Sequence, residues 1–592
     1  MAIAVNVRNG NLAAVEPFTE TGTNHYPRLY YVFLGLLARL FDKDIILTWQ
    51  VTGLAFQLLM VVAISWLLIR LTGVPALGAL GFVPSIIGTF AVLATGNWHH
   101  TLDNHAVLWG AFGVLFTLNG ESAALSLAVT AVCLLIGATF PAGHRPESVL
   151  HRRRTAAIIV AAGAVGFLAN VQTYSFLTTV YLLLYAAAAY GLLTYGRKIH
   201  VIASLGILAA VLFGGPTIAS VAGPLATLMA GVLAAVPGFL LLLLRYKTLV
   251  ISSCAALALA ASPTILGTLL GLAAKDDFLT YRELSSKALG VPLGTGLLAA
   301  LVPLLFLALI FWAGMRQRNR AWLAFSIGAV FAWPVVASND LWGANQEPYR
   351  FWIDSFTIVT AAAVPVLLQV AVESWRLWRS SVQTKAIDTS SIAEEAASDG
   401  GGVKTATYTA QTTKLRLTGT VATATIAAVV TVTAVAVSFG DYPKFTEYVQ
   451  SYGTANFSDE QSVAIRNASK PLTDDDSELK IRRAEDGTAS ELVMFDPCIS
   501  QFRLKAVTGL PTAFYNLGLA WPKEEAKLRE VVEQRKHYVF AQSLAASAGV
   551  KYILTDSGCE QGWQDKVDGT KVSESRYKIG EETAVITLWK IK

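Results

Sequence analysis

The sequence is short of charged residues. Only 15% of its 592 residues are Asp, Glu, Lys or Arg, whereas a soluble globular chain has roughly 25%. Hydrophobic residues make up 54% of the chain, and its mean hydropathy is +0.50. This shortage of charge, together with repeated apolar runs of membrane length, predicts a polytopic α-helical membrane protein.

Several common motifs are also absent. The sequence has no Walker loop, no zinc-ligand spacing and no dinucleotide fingerprint. The net charge of +5 is small, and the basic residues lie in short loops between apolar runs. This is the positive-inside pattern of membrane proteins and not a nucleic-acid surface, so we expect the lipid bilayer and no nucleic acid as a partner. The polar first residues predict that there is no cleavable signal peptide.

Cysteine is scarce, and its four positions fall into two groups. Cys133 and Cys254 lie in apolar runs, as small core residues do. Cys498 and Cys559 are the pair outside the apolar segments, in the polar C-terminal region. We predict a disulfide between them, provided that this region lies outside the cytosol.

The apolar runs predict about twelve membrane crossings, of which 105–140 is expected to hold one crossing and a half-embedded piece. The predicted segments are 45–71, 75–96, the crossing within 105–140, 155–173, 175–196, 200–222, 225–245, 248–272, 293–315, 320–337, 355–374 and 415–438. The shorter run at 32–41 is bracketed by Arg28 and Arg39, and we interpret it as a helix in the membrane interface. A short buried core helix is the alternative.

These segments divide the chain into two predicted domains. Residues 1–438 form a transmembrane domain, which includes an outer loop and interfacial helix (1–44) and a flexible cytosolic loop (380–413) rich in Ser, Thr, Ala and Gly. Residues 439–592 have the composition of a soluble α/β domain. In that domain we expect buried strands at 491–496 and 550–555, helix between them at 524–548, and a closing hairpin at 577–591.

The placement of Arg and Lys predicts the topology. Basic clusters such as 151–154 and 316–320 should be cytosolic, with 376–414 also inside. The loops 97–104, 274–291 and 338–354 and residues 441–592 should then lie outside. Twelve crossings with an outer C-terminus require an outer N-terminus as well. The simplest explanation is that a first transmembrane helix is missing from this chain, and the alternative is a miscount within 105–140.

The most polar stretch between two apolar runs is Thr95–Ala106. It contains Asp103 and three histidines, His99, His100 and His105. Polar residues this dense between membrane-length segments are expensive unless they face water or a cavity, so they mark a site by default. An ordinary wet loop is the competing interpretation. Asp276, Asp277 and Arg282, in a later outer loop, are more typical of a wet loop than of a site.

The architecture and three short motifs resemble the GT-C superfamily of membrane glycosyltransferases. The stretch 25–40 is similar to the family pattern in which His-Pro or Lys-Pro precedes an interfacial helix. Thr101–His105 is similar to the second outer loop, where the oligosaccharyltransferase subunit has Asp-Asn-Glu and this chain has Asp-Asn-His. Gln346–Trp352 is similar to the late outer loop whose arginine meets the donor phosphate. The resemblance covers the whole chain, and its members include actinobacterial arabinosyl- and mannosyltransferases.

The resemblance implies an inverting transferase with a polyprenyl-phosphate sugar donor and a cell-envelope glycan, lipid or protein acceptor. Glu20 or Glu16 would be the catalytic base, although the family's first-loop acid follows a helix that this chain lacks, and a solvated loop charge is the alternative. Asp103 would be a second acid or a helix N-cap. Arg350 would bind donor phosphate, with His25 and Arg28, or interact with lipid headgroups. His99, His100 and His105 would contact the acceptor or a metal, and a divalent cation, Mg²⁺ or Mn²⁺, is the expected cofactor.

Two other functions compete with the transferase. The first is a transporter or flippase for a lipid-linked precursor, against which the near absence of charges in the apolar segments argues. The second is a non-catalytic scaffold of the same fold. The discriminating observation is whether Glu16 or Glu20, Asp103 and Arg350 converge on one outer cavity.

Overall fold

The computed structural model describes residues 1–90, 110–140, 150–284, 293–395, 459–516 and 520–592, together with Val291, Gly518 and short stretches between 425 and 443. The described residues group into two compact units. Unit 1 comprises Met1–Thr52, Thr264–Arg282 and Tyr448–Lys592, and unit 2 comprises Gly53–Pro263 and Glu283–Glu447. The predicted boundary at residue 439 stays a prediction.

Helices dominate the chain before residue 396. In chain order they are α1 Ala2–Arg8, α2 Leu29–Leu40, α3 Ile45–Thr72, α4 Val83–Ile86, α5 Ala111–Leu115, α6 Gly120–Thr139, α7 Leu150–Phe167, α8 Thr173–Tyr195, α9 Lys198–Ala222, α10 Pro224–Ala230, α11 Val236–Arg245, α12 Lys247–Ala273, α13 Asp277–Leu284, α14 Leu293–Gln317, α15 Arg320–Ala337 and α16 Pro348–Glu395. Short 3₁₀ segments occur at Pro75–Phe82, Leu168–Asn170 and Gly231–Ala235.

Nine helical stretches of the described residues are long and apolar enough to cross a membrane. They are α3, α6, α8, α9, the continuous α10–α11 stretch, α12, the part of α14 from Gly296, α15, and the part of α16 up to Glu373. The chain is therefore a multi-pass membrane protein, as its composition predicted, and nine of the twelve expected crossings are found. The predicted segment 415–438 lies mostly outside the described residues.

Three sequence predictions in this region need correction. The segment 75–96 is not one long helix in its described part, because prolines and glycines at 75, 78, 81, 84 and 88 break it into a 3₁₀ segment and α4. The outer loop 338–354 is shorter than predicted, since α16 already begins at Pro348. Residues 380–395 continue α16 and are not a flexible loop, and that stretch contains no Gly or Pro to stop the helix.

Unit 2 is held together by close packing of α6, α8, α15 and α16. Gly328 of α15 lies directly on α8, where a Cβ atom would come within 2.4 Å of the Ala186 main chain. Gly191 of α8 meets α11 in the same way, at the carbonyl of Gly238. Small residues at such crossings let helix backbones approach closely, which is how helices associate where apolar burial alone gives no driving force.

Unit 1 contains a four-stranded sheet in the order β1-β2-β4-β3. Its elements after residue 459 are α17 Glu460–Ala468, α18 Lys470–Thr473, β1 Leu492–Phe495, α19 Gln501–Thr508, α20 Glu525–Lys536, α21 Gln542–Ser547, β2 Val550–Asp556, β3 Gly569–Ile579 and β4 Glu582–Ile591. The β1 and β2 strands are parallel, and the other two pairings are antiparallel. The predicted strands and hairpin of this region are confirmed, and the predicted helical stretch 524–548 contains two helices, α20 and α21.

Both faces of the sheet are covered. Val493 and Phe495 of β1 pack in one cluster with Ile465 of α17 and Leu504 of α19. The alternating residues of β1, Leu492 and Met494, belong to a second cluster with residues of α20 and α21. Because successive side chains of a strand point to opposite faces, a strand that is apolar throughout must be covered on both sides.

The predicted disulfide is present. Cys498 and Cys559 are bonded, with their Cα atoms 5.9 Å apart, just beyond the ends of the parallel strands β1 and β2. The bond closes a loop across a sequence separation of 61 residues. Chain-entropy arguments assign a loop of this size roughly 4 kcal/mol of stabilisation.

Replacing both Cys498 and Cys559 with Ser should therefore lower the stability of unit 1 by several kcal/mol, about 2–5. Urea titration of the purified full chain, followed by proteolytic cleavage within 459–592, measures the midpoint. Cys254→Ser, at a free and exposed cysteine, is the matched control. A reductant should shift the wild-type midpoint and leave the doubly substituted chain unchanged. An unchanged midpoint in that variant would contradict the assignment of stability to the bond.

Candidate functional site

A charged cluster lies where three helices of unit 2 begin. Glu121 is the second residue of α6, Tyr174 and Ser175 are the second and third of α8, and Arg350 is the third of α16. The start of α6 is fixed by Asn119, whose side-chain oxygen accepts hydrogen bonds from the backbone N–H groups of Glu121 and Ser122. A carboxylate in the first turn of a helix is favoured by the helix dipole.

Arg350 is held by two carboxylates. Its Nη1 lies 2.9 Å from Glu121 Oε2, and its Nε donates to Glu347 Oε2. The phenol of Tyr349 also donates to Glu347 Oε2, at 3.2 Å. The guanidinium carbon lies 5.5 Å from the Tyr174 ring centre and 5.3 Å from that of Tyr349, within the range of cation–π contact. The guanidinium is therefore fixed in position, while 27% of the side chain remains exposed.

Asp354 lies one helical turn after Arg350 and is fully buried. It interacts electrostatically with Glu121 and Arg350, and the Ser175 hydroxyl faces its carboxyl. The two carboxyl oxygens of Asp354 and the hydroxyl oxygen of Ser175 make no hydrogen bond of ordinary geometry. The cluster thus places three carboxyl groups, those of Glu121, Glu347 and Asp354, around one guanidinium.

Hydrogen bonds of Asn339 fix the turn before α16. Asn339 accepts a hydrogen bond from the Gln346 N–H at 2.6 Å and donates to the carbonyls of Val336 and Gln346. Glu347 has a positive φ of 38°, an uncommon conformation for a residue with a side chain. The buried Asn339 therefore fixes the turn that carries Glu347 and leads directly to Arg350 in the first turn of α16.

Glu20 lies elsewhere, in unit 1, and is a structural residue there. It is fully buried and pairs with Lys505 at 2.7 Å and with Arg483, and Asn11 donates to it at 3.0 Å. Burial opposes its ionisation, but the two cations outweigh that effect and lower its pKa to about 2. A base with these partners is neither accessible nor basic, so the structure gives no support to Glu20 as the catalytic base.

Glu16 is buried in the same segment. Its Oε2 accepts hydrogen bonds from the backbone N–H groups of Phe18 and Thr19 and from the Thr19 hydroxyl. Burial raises its pKa to about 8, and these hydrogen bonds compensate only in part. Phe18 packs edge-on against Phe502 and Phe514, at 5.6 and 5.1 Å between ring centres, which anchors the segment to the α/β elements of unit 1.

His25 and Arg28 also lie in unit 1, whereas Arg350 lies in unit 2. His25 Nε2 is 3.3 Å from Asp276 Oδ2, which also accepts a hydrogen bond from the Thr23 hydroxyl at 2.7 Å. Arg28 donates to the carbonyls of Leu12 and Ala13. Both side chains therefore hold the N-terminal segment in place, and their role at a donor phosphate stays a prediction.

Asp103, His99, His100 and His105 lie outside the described residues, so their predicted roles remain predictions. Among the residues that the structure describes, no group of three or more His, Cys, Asp or Glu side chains could hold a metal ion. The expected Mg²⁺ or Mn²⁺ is likewise left as a prediction.

Sequence reasoning missed Glu121 and Asp354. The polar tetrapeptide Asn119–Ser122, which interrupts an apolar run, carried the signal for Glu121, since Asn followed by an acid opens a helix. Asp354 was counted as the last residue of a loop because the predicted span began at 355. Starting the helix at Pro348, a favoured first residue, places Asp354 inside it.

No protein-family model and no curated protein matches this chain. Among solved structures it is similar to the archaeal oligosaccharyltransferase AglB from Archaeoglobus fulgidus in complex with an inhibitory peptide and a dolichol-phosphate, at 13% identity and a TM-score of 0.41, over 93% of this chain and 64% of that one. The apo form of the A. fulgidus enzyme has 13% identity and a TM-score of 0.41, over 94% of this chain and 65% of that one. Its complex with Zn and sulfate has 12% identity and a TM-score of 0.40, over 93% of this chain and 62% of that one.

This chain thus spans less than two thirds of the length of those oligosaccharyltransferase chains. Identities and TM-scores at this level do not establish a family.

The buried acids of unit 1 generate a prediction of pH dependence. The folded-state pKa of Glu16, about 8, lies above its ordinary value of 4.5, so its contribution to stability is fully present below pH 4.5 and is lost as pH rises towards 8. Between these pH values the wild type should lose up to about 1.4 kcal/mol of unfolding free energy per pH unit. Glu16→Gln should abolish this pH dependence. Unfolding midpoints of unit 1 between pH 5 and 9 measure it.

Glu20→Gln provides the contrast. The depressed pKa of Glu20 means that its ion pairs stabilise the fold above pH 4.5 and are lost as pH falls towards 2. Removing one partner of a buried pair costs about 3–5 kcal/mol, so this variant should be less stable across pH 5–9. Equal behaviour of the two variants would refute the assigned environments.

Proposed function

We propose that this protein is a membrane glycosyltransferase of the GT-C type, which moves a sugar from a polyprenyl-phosphate donor to a cell-envelope acceptor at the outer face of the membrane that it spans. The observation that carries the proposal is the setting of Arg350. This arginine, singled out by the motif Gln346–Trp352, lies in the first turn of a membrane-length helix and is fixed between Glu121 and Glu347. An exposed part of a fixed guanidinium suits a phosphate group.

The positive-inside rule supports an outer position for the cluster. The helices α6, α8 and α16 all begin at it, and basic residues follow the far end of each: 151–154 after α6, Arg197 and Lys198 after α8, and Arg376 and Arg379 within the last part of α16. Basic ends of this kind belong to the cytosolic side. The cluster at the opposite ends then lies at the outer boundary, which a lipid-linked donor reaches sideways from the bilayer.

The proposed reaction needs one base and one cation. The acceptor hydroxyl oxygen attacks the anomeric carbon, the bond from that carbon to the phosphate oxygen breaks, and polyprenyl phosphate leaves with the bonding electrons. Arg350 would stabilise the departing phosphate. The acceptor proton would pass to a carboxylate, for which Asp103 remains the candidate. Glu121 would hold the Arg350 guanidinium in place. The resemblance further suggests an inverting enzyme of an actinobacterial cell wall, with Mg²⁺ or Mn²⁺ as a cofactor.

One observation favours a second candidate, a transporter or flippase for a lipid-linked precursor. Asp354 is a fully buried carboxyl inside a membrane-length helix, which is the kind of residue that ion-coupled transporters use. The absence of such residues was the main sequence argument against transport. Proteoliposomes containing a labelled polyprenyl-phosphate sugar separate the two, because a transferase moves the label to a glycan and a flippase moves the intact lipid.

Arg350→Lys should reduce sugar transfer about 10- to 100-fold, because lysine keeps the charge but cannot form the paired contacts of a guanidinium. The assay is transfer of labelled sugar in membranes from a strain that lacks the gene and carries each variant. Arg316→Lys is the matched control, since Arg316 stacks on Trp312 at the end of α14, 3.9 Å from the ring centre, and has no place in the cluster. Full transfer by Arg350→Lys would contradict the proposed phosphate site.

A further inference from the structure

Asp354 is the least satisfied charged group of the described cluster. Its side chain is fully buried, and neither carboxyl oxygen has a hydrogen-bond partner. A buried carboxyl without a cation or hydrogen-bond donors costs several kcal/mol relative to water. In this respect it differs from Glu121 and Glu347, which Arg350 neutralises.

Two further polar groups nearby are in the same condition. Ser175 and Thr178 are fully buried on α8, and neither hydroxyl makes a hydrogen bond of ordinary geometry. Three residues apart on a helix, they lie on one face. The Ser175 hydroxyl faces the Asp354 carboxyl, so unused hydrogen-bonding capacity from α8 and α16 meets at this point.

The ligand that fits this set carries hydroxyl groups. A carboxylate accepts hydrogen bonds from hydroxyls, and a serine hydroxyl both donates and accepts, so together they match the alternating groups of a sugar. A tyrosine ring, that of Tyr174, lies beside the guanidinium at the same end of α8. Arg350 and Asp354 are separated by about one helical turn, roughly 5–6 Å, a length comparable with a sugar ring beside its phosphate.

We propose that Asp354 and Ser175 bind hydroxyl groups of the sugar on the polyprenyl-phosphate donor, one helical turn from the arginine that binds its phosphate. This inference rests on the proposed function and deepens it. Arg350 selects the phosphate and Asp354 selects the sugar. The sugar hydroxyls would make the hydrogen bonds that these groups do not make within the protein.

The test compares binding of two probes to the full chain in nanodiscs, polyprenyl phosphate without a sugar and polyprenyl-phosphate monosaccharides, including mannose and arabinose. For the wild type, one of the sugar-bearing lipids should bind at least 10-fold more tightly than the bare lipid. Asp354→Asn and Ser175→Ala should each reduce that ratio at least 5-fold and leave binding of the bare lipid unchanged. Arg350→Lys should weaken both probes alike.

The melting temperature of each free variant distinguishes a loss of sugar binding from a loss of packing. Asp354→Asn should keep or raise the melting temperature of the free protein, because an amide of similar shape costs less to bury than a carboxyl group that lacks partners. Ser355→Ala is the matched control, since Ser355 is equally buried and unpartnered but points to a different side of α16. It should leave the binding ratio unchanged.

The outcomes are distinguishable. If the wild type binds no probe, the proposed function fails together with this inference. If the wild type binds the bare lipid and no sugar-bearing lipid binds more tightly, or Asp354→Asn and Ser175→Ala keep the wild-type ratio, the sugar subsite is refuted and the phosphate site stands. Should Asp354→Asn prove too unstable to purify, Ser175→Ala decides alone, because it removes a single oxygen.

Discussion

The cost of burying a carboxyl group shapes both units of this chain. Glu20, in unit 1, is buried against Lys505 and Arg483, and those two cations stabilise its charge. In unit 2, Arg350 similarly neutralises Glu121 and Glu347. Asp354 makes no hydrogen bond of ordinary geometry, although the Ser175 hydroxyl faces it. One oxygen of Glu16 is likewise without a partner, but its other oxygen accepts three hydrogen bonds, whereas both oxygens of Asp354 are unsatisfied.

Helix starts give the site its geometry. A helix begins where its first backbone N–H groups have lost their intrahelical partners, so its first turn is polar by construction and favours carboxylates. Three helices begin together here, and each contributes side chains from its first two turns. Close packing of α8 on α15 through Gly328 fixes the position of α8 in unit 2.

Much of the fold could be predicted from hydropathy and charge. Nine crossings and the α/β elements follow from patterns whose physical basis is local, such as the length of an apolar run or the alternation of a strand. The disulfide could be predicted because its two cysteines are the pair outside the apolar segments. The segment 75–96 could not be predicted by hydropathy, because its apolar character is independent of the prolines and glycines that break it.

The site was harder to predict than the fold. Arg350 was found because a short motif surrounds it, whereas Glu121 and Asp354 become candidates only through contacts made across more than 200 residues of sequence. Glu16 and Glu20 are candidates by sequence because they lie in a polar segment. Sequence alone does not show that Lys505, some 485 residues away, pairs with Glu20. Burial of a charge is a tertiary property, so sequence alone does not show which acids have partners.

The central claim is that donor phosphate binds where α6, α8 and α16 begin. A polyprenyl phosphate with a diazirine close to its phosphate, photolysed with the full chain in nanodiscs, tests this claim most directly. The account predicts crosslinked peptides that contain the starts of these helices, at Glu121, Tyr174 and Arg350, and competition by unlabelled polyprenyl phosphate. Competed crosslinks confined to other parts of the chain would contradict it.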